Sequence, residues 1–527
     1  MEKKDNKMGV FGAVSYVIGN IVGSGIFIAP KAILEETNTV GLALVVWVVS
    51  AIISVIGSFC YVELGTSIKT SGADFAYLCY VKWYPIAFAF MTIGCLLTYP
   101  ATLAIQSLTF SEYIIKGIGV RIADPIFEDF AKKLIGFSLL WLLMFLNFFS
   151  LKTFVSRFQI LATIAKIAAT AIVILTGFYF LIFKGETENI AEPFAHTQFD
   201  IGAFVTALFA GLYSYDGWDI LNFGAEEIKK PKKTMPLAII IGMSIVAIIF
   251  LSINLAYFVV LDVDQIKESS AVASAFAKAK LGNFYYAVPF LICILLIGSL
   301  NSTIFAASRY LYAASRQGHL PSFISCSNTK TDSPRVAIFL CIFLSMAVSF
   351  VGDLDTLISY VGFAQWSQRA CTMIALLWIR FRHKPVDTNA IRVPIIMPTI
   401  FLLICMSLVI VTIVSRFHIS RIGLIVITAG FITYFIFIYE RSLPSLKSFR
   451  QFSFAFDNAT TIFCQIIFNG MPQKTEENRL NDEKLNKEQL FSIFNEKPNH
   501  IEHTRMRKSF VYCKEDPPIY ISTNESK

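Results

Sequence analysis

Twelve stretches of this chain are apolar for about the length a helix needs to cross the hydrocarbon core of a bilayer, roughly 20 residues. They run at 9–33, 41–65, 85–115, 134–151, 158–183, 200–225, 236–261, 286–313, 336–352, 355–380, 394–415 and 419–440. Inside lipid an unpaired backbone is too costly, so segments of this kind are restricted to helices. The expectation is an all-α integral membrane protein with twelve transmembrane helices. A length of 527 residues would otherwise imply three or four soluble domains. The charge distribution excludes that. Only 58 of the first 440 residues are charged, against 24 of the last 87, whereas a soluble chain carries about 25% throughout.

Sidedness follows from Lys and Arg in the connections. Loops on the side of the N-terminus hold 19 of them, including the Lys229, Lys230, Lys232, Lys233 cluster, and the opposite loops hold 10. Both termini are therefore expected in the cytoplasm. The formal charge of +8 is scattered over short loops without interleaved aromatics, so it does not read as nucleic-acid binding. The ten cysteines show no metal spacing, and no motif points to a cofactor. Residues 1–7 lack a cleavable signal pattern. In the tail, 449–469 alternates aromatic and polar residues, as a segment lying along a membrane surface would. After about residue 470 the composition favours disorder. Glycosylation sequons at Asn301, Asn458 and Asn524 fall in a span or in the tail, so no N-glycan is expected.

The chemistry concentrates where spans are interrupted. In the first, Gly19-Asn20-Ile21-Val22-Gly23-Ser24-Gly25-Ile26-Phe27 sets glycines and a serine near mid-bilayer. In the sixth, Gly211-Leu212-Tyr213-Ser214-Tyr215-Asp216-Gly217-Trp218-Asp219 does the same and adds carboxylates. Glycines in a membrane helix also serve close helix packing. Two breaks five spans apart instead match an inverted five-plus-five repeat with the substrate between its halves. Unwound segments offer helix N-termini to a carboxylate and free carbonyls to an ammonium. A zwitterionic amino-acid head needs both.

The residues carry a family resemblance as well. Gly23-Ser24-Gly25-Ile26-Phe27, Cys60-Tyr61-Val62-Glu63-Leu64-Gly65 and Ser71-Gly72-Ala73-Asp74-Phe75-Ala76-Tyr77 resemble the L-type amino-acid transporter light chains of the amino acid–polyamine–cation transporter superfamily. Gly217-Trp218-Asp219 with Asn222-Phe223 and Glu226-Glu227, and Ser315-Arg316-Gln317-Gly318-His319-Leu320-Pro321, extend the match. The resemblance runs from about 9 to 470. It implies sodium-independent amino-acid exchange, a plasma-membrane location and a fold with broken helices one and six. Residues 1–8 then form a cytoplasmic N-terminus and 9–440 the transporter domain. Within that domain the repeats fall at about 9–183 and 200–380, with two further helices at about 394–440. Residues 441–527 form a cytoplasmic tail.

On this basis Asn20, Ile21, Gly23, Ser24, Gly25, Ile26, Tyr213, Ser214, Tyr215, Asp216 and Gly217 are the expected substrate-binding residues. The resemblance places Tyr213 as an aromatic gate. Lys166, Trp218, Glu63, Phe363, Gln365 and Trp366 are expected in gating or coupling. A charge in mid-membrane needs a partner or a cavity. Lys166 either snorkels to the interface or tethers the first break, where sodium-coupled relatives hold an ion. Asp216 either faces a cationic side chain or bonds within an unwound helix. The expected substrates are therefore neutral and, through Asp216, cationic amino acids. Arg369 is unexpected in its span, and an ion pair facing a cavity accounts for it best. Glu63 and Glu226-Glu227 are expected to brace the cytoplasmic gate, and His319 to be a turn residue. Light chains of the family carry a cysteine between spans three and four for a covalent heavy-chain partner. No cysteine occurs from 96 to 292, so that linkage is not expected. A receptor that binds amino acids without turnover and a proton-coupled uniporter are the alternative functions. No span carries residues that an intramembrane enzyme would need.

Overall fold

Apolar sequence in lipid has to satisfy its backbone internally, and the computed structural model does so with helices at all twelve expected places. It describes residues 9–472 except 69–72, 121, 123, 149–151, 196, 198, 220, 222–227, 229, 270, 317–318, 329–332, 388–389 and 440. The first span is a bent pair, α1 (Val10–Ile21) and α2 (Gly25–Thr37), followed by α3 (Val40–Ser67) and a short α4 (Ala73–Tyr80). The third span joins α5 (Tyr84–Ile93) to α6 (Tyr99–Ile118) through a π turn at Gly94–Thr98. The wide turn tolerates Pro100, which cannot donate to the ladder. Then come α7 (Pro125–Phe148), α8 (Lys152–Phe183) and α9 (Ile201–Ser214).

The second half contains α10 (Pro231–Val260), the short α11 (Val263–Glu268) and α12 (Val272–Lys280), and α13 (Ala287–Arg316). It continues through α14 (Arg335–Val348), α15 (Leu354–Phe381), α16 (Ile396–Ser415) and α17 (Phe417–Thr433). Among the described residues, seven helices are long and apolar enough to cross a membrane, and the α1–α2 pair makes an eighth span. The other four differ for visible reasons. Helices α9 and α14 are short, α7 opens on Glu128, Asp129, Lys132 and Lys133, and α15 contains Arg369. In α7 the charges pair one turn apart, Lys132 with Glu128 at 2.8 Å and Lys133 with Asp129 at 2.7 Å. Those pairs carry the helix nine residues ahead of its apolar run.

Helix neighbours recur with an offset of five spans. Helix α1 packs on α10 as α9 packs on α3, and α8 on α13 as α15 on α6. Likewise α6 lies on α7 as α13 lies on α14. The interior is dense with large aromatics: Trp47, Trp218, Trp366, Tyr215 and Phe250 are all fully buried. Leu142, Phe145, Ile164, Ile167 and Leu175 are exposed, as side chains facing lipid should be.

The tail begins with α18 (Lys447–Phe468), the helix expected to lie along the membrane surface. Asp457 accepts from the Ser322 backbone N–H at 2.9 Å and from its hydroxyl. Met471–Pro472 pairs antiparallel with Cys326–Ser327. The second compact unit of the chain, 474–527, lies outside the described residues, and with it the disorder expected after about 470.

Candidate functional site: two broken helices

Helix α1 stops at Ile21, Val22 to Ser24 are not helical, and α2 restarts at Gly25 with its axis turned by 51°. The break leaves carbonyls at the end of α1 and N–H groups at the start of α2. Lys166 of α8 meets one of these carbonyls, its ammonium donating to Gly19 O at 2.9 Å. A cation at a helix C-terminus is stabilised by the helix dipole as well as by the hydrogen bond. Lys166 therefore has a hydrogen-bond partner at the break. At the other side of the gap Ser24 does not cap α2 with its side chain. Phe27 N–H donates to Ser24 O, and among the described residues the N–H groups of Gly25 and Ile26 have no backbone partner.

Helix α9 ends at Ser214 and the chain turns through Tyr215 to Asp219. Gly217 takes φ of 95°, a conformation that side chains disfavour. Its carbonyl accepts from the Asn20 amide at 2.9 Å, so the two breaks are clasped side chain to backbone. Backbone meets backbone at Gly25, where an added Cβ would stand 2.6 Å from Ser214 Cα. Glycine is required there because backbone faces backbone. Ile21, Ile26 and Ser24 are buried at this junction, with Gly23 beside Ser299 of α13. Ser214 bonds its own helix at Ala210 O. The Tyr213 hydroxyl is buried near Gln106 of α6 and Ser24, without a hydrogen bond of good geometry. Gln106 in turn accepts from Thr303 of α13 at 3.2 Å. Gln106 and Thr303 were not singled out from the sequence, although a glutamine inside an apolar span was a visible signal.

Arg369 finds its partner at the second break. Its Nη2 donates to Asp216 Oδ1 at 2.6 Å, and Gln365 donates to the other carboxylate oxygen at 3.3 Å. The guanidinium lies over both Trp218 and Trp366, at 4.9 and 4.8 Å from the rings. Asp74 is buried close by, accepting from Tyr61 at 2.5 Å and from Thr372 at 2.8 Å. Its role was not foreseen, since its partners come from spans two and ten.

Two of the singled-out residues have other surroundings. Tyr215 is fully buried against Trp47 and Phe250, with ring centroids 6.0 and 4.8 Å away, so it packs the core rather than facing the break. Phe363 is fully buried against Gly423 of α17. Glu63 pairs with Arg380 at the end of α15, Nε to Oε1 at 2.7 Å and Nη2 to Oε2, and accepts from Val393 N at 3.1 Å. This strap is continued by Ile391 N on Thr66 and Asp387 N on Ser67 O. Glu226 and Glu227 lie outside the described residues. His319 is buried against Phe75 and Phe88, and burial lowers its pKa to about 4. It is neutral at physiological pH.

A broken first span clasped to the turn that ends α9, inside a many-helix membrane fold, is the arrangement of a secondary transporter. The chain belongs to the amino acid permease family, whose "Amino acid permease" model matches residues 8–446, and within it to the L-type amino-acid transporters. It is 56% identical to amino acid transporter protein 6 of Caenorhabditis elegans over 92% of this chain and 91% of that one. It is 35% identical to the human cystine/glutamate transporter, over 89% of this chain and 91% of the other. It is 31% identical to the mouse large neutral amino acids transporter small subunit 2, over 88% and 86%. Amino-acid transport across a membrane is thus the function of the fold.

Proposed function

We propose that this protein exchanges amino acids across the plasma membrane without sodium, by alternating access around the two breaks. The observation that carries the proposal is the clasp itself. Asn20 ties one break to Gly217 of the other, so a ligand seated between them contacts both halves. The open N–H groups of Gly25 and Ile26 suit a substrate carboxylate, and the carbonyls of the unwound segments suit its ammonium. Lys166 supplies at the first break the fixed positive charge that a sodium ion would otherwise bring. Neighbour pairs repeating at five-span intervals support the inverted repeat, 9–183 against 200–380, with 394–440 added. The Lys/Arg excess supports cytoplasmic termini. Neutral amino acids are the favoured substrates. Asp216 already has a counter-ion in Arg369, which weakens the expectation of cationic ones.

The test uses purified protein in proteoliposomes. Preloaded unlabelled leucine should accelerate entry of labelled leucine, equally in sodium and in choline. A receptor without turnover gives no acceleration, and a proton-coupled uniporter responds to a pH gradient in empty vesicles. Absence of trans-acceleration across a panel of twenty amino acids overturns the exchanger reading. Labelled arginine uptake, in wild type and in Asp216→Gly, tests the cationic arm.

A further inference from the structure

Arg369 is more than a satisfied buried charge. Its side chain is 7% exposed, while the Asp216 carboxylate it holds is 35% exposed at the turn beside the clasp. Two indole rings also hold the guanidinium, Trp218 at 4.9 Å and Trp366 at 4.8 Å, independently of Asp216. Its one hydrogen bond among the described residues goes to Asp216, and its Nη1 is buried without a partner. A group anchored by rings, with a single charged bond aimed at the substrate turn, is poorly explained as general packing.

We propose that Arg369 is the residue that sets the side-chain charge preference of the transporter, by neutralising Asp216 at the substrate site. This rests on the exchanger reading for the location of the substrate. With the pair intact, an incoming side chain meets no uncompensated charge from it, and neutral side chains enter at least cost. Asp74 and Asp219 also lie within electrostatic reach of Arg369. Asp74 is occupied by the hydroxyls of Tyr61 and Thr372. Removing the guanidinium therefore uncovers Asp216 in a region already rich in carboxylates. Removing Asp216 leaves Arg369 still facing Asp219 and Asp74. The two neutralisations should act in opposite directions and with unequal size.

The experiment measures binding rather than turnover, as the shift in thermal unfolding of the detergent-purified full chain with leucine, lysine or glutamate. Arg369→Gln should raise apparent lysine affinity relative to leucine about tenfold or more. Asp216→Asn should lower it by a smaller factor and improve glutamate. The double variant, which leaves neither charge unpaired, should return to the wild-type order. Singles that keep the wild-type order of ligands overturn the proposal, and so does a double variant that fails to restore it. Where one single variant does not survive purification, the other single and the double variant decide by the same rule: a wild-type order of ligands in the surviving single overturns the proposal. A protein that binds leucine but shows no trans-acceleration sinks the exchanger reading while leaving the charge order testable.

Discussion

At the residue scale, a few small side chains set the distances on which the site depends. Gly25 is the clearest. Its missing Cβ lets the start of α2 rest on the end of α9, where the obstacle to any larger residue is the backbone of Ser214. Backbone cannot rotate aside as a side chain does, so Gly25→Ala forces the helices apart. Overpacking of this kind costs about 1–3 kcal/mol. The expected outcome is a lower unfolding temperature in detergent and loss of leucine-induced stabilisation, and an unchanged leucine response would show that the contact is dispensable. Lys166→Met removes the ammonium from Gly19 O while keeping the apolar stem. It should cut exchange sharply while the protein still folds and reaches the membrane, and full exchange in this variant would refute the tether. His319 gives a pH signature. Its pKa falls to about 4 in the fold from the usual 6.5, so below pH 6.5 the unfolded chain takes up the proton first. Stability is fully present above 6.5 and declines as pH falls toward 4. The His319→Gln variant should flatten that part of a melting-temperature profile.

At the element scale, the sequence locates helices well and their partners poorly. Apolar length located the spans, and two glycine clusters located both breaks, because those signals are local. Arg369 and Asp216 are 153 positions apart, and Arg380 and Glu63 are 317 apart. Periodicity along one helix carries no record of such pairings. Tyr215 and Phe363 illustrate the same point: each packs against a residue of a distant span, Phe250 and Gly423, that its own segment does not reveal. The strap from Arg380 through Val393 to the end of α3 is the element-scale device that was only half visible. Cys60 is fully buried one turn before Glu63 on the same helix. Removing one member of a buried ion pair leaves the other uncompensated, typically at about 3–5 kcal/mol. In a variant whose only cysteine is Cys60, Glu63→Gln should therefore speed alkylation by a membrane-impermeant maleimide, measured from each side in turn. Labelling that stays as slow as in the parent would mean that the strap does not seal this end of the bundle.

At the scale of the whole molecule, the repeating neighbours explain why two distant breaks coincide. If helices pair in the same way after a shift of five, the first span and the sixth occupy equivalent places. Each then meets the other, as Asn20 and Gly217 do. That scaffold buries its own interfaces, and its partners have to join at its edges. The connection from α6 to α7 is one such edge, where family light chains carry the cysteine for a heavy chain. Here it spans 119–124 and reads Gly-Val-Arg-Ile-Ala-Asp, and no cysteine occurs anywhere between Cys95 and Cys293. Both of those cysteines are buried in helices, so neither stands in for it. We propose that any association with a single-span glycoprotein is non-covalent at this edge. When the chain is co-expressed with such a heavy chain, non-reducing gels should show it at its monomer mass, with and without reductant. Mild-detergent pull-downs would retain the partner only if such a contact exists. A reductant-sensitive heterodimer band that survives mutation of every cysteine outside the bundle would require one of the buried thiols to be reachable, and would contradict the burial of Cys95 and Cys293.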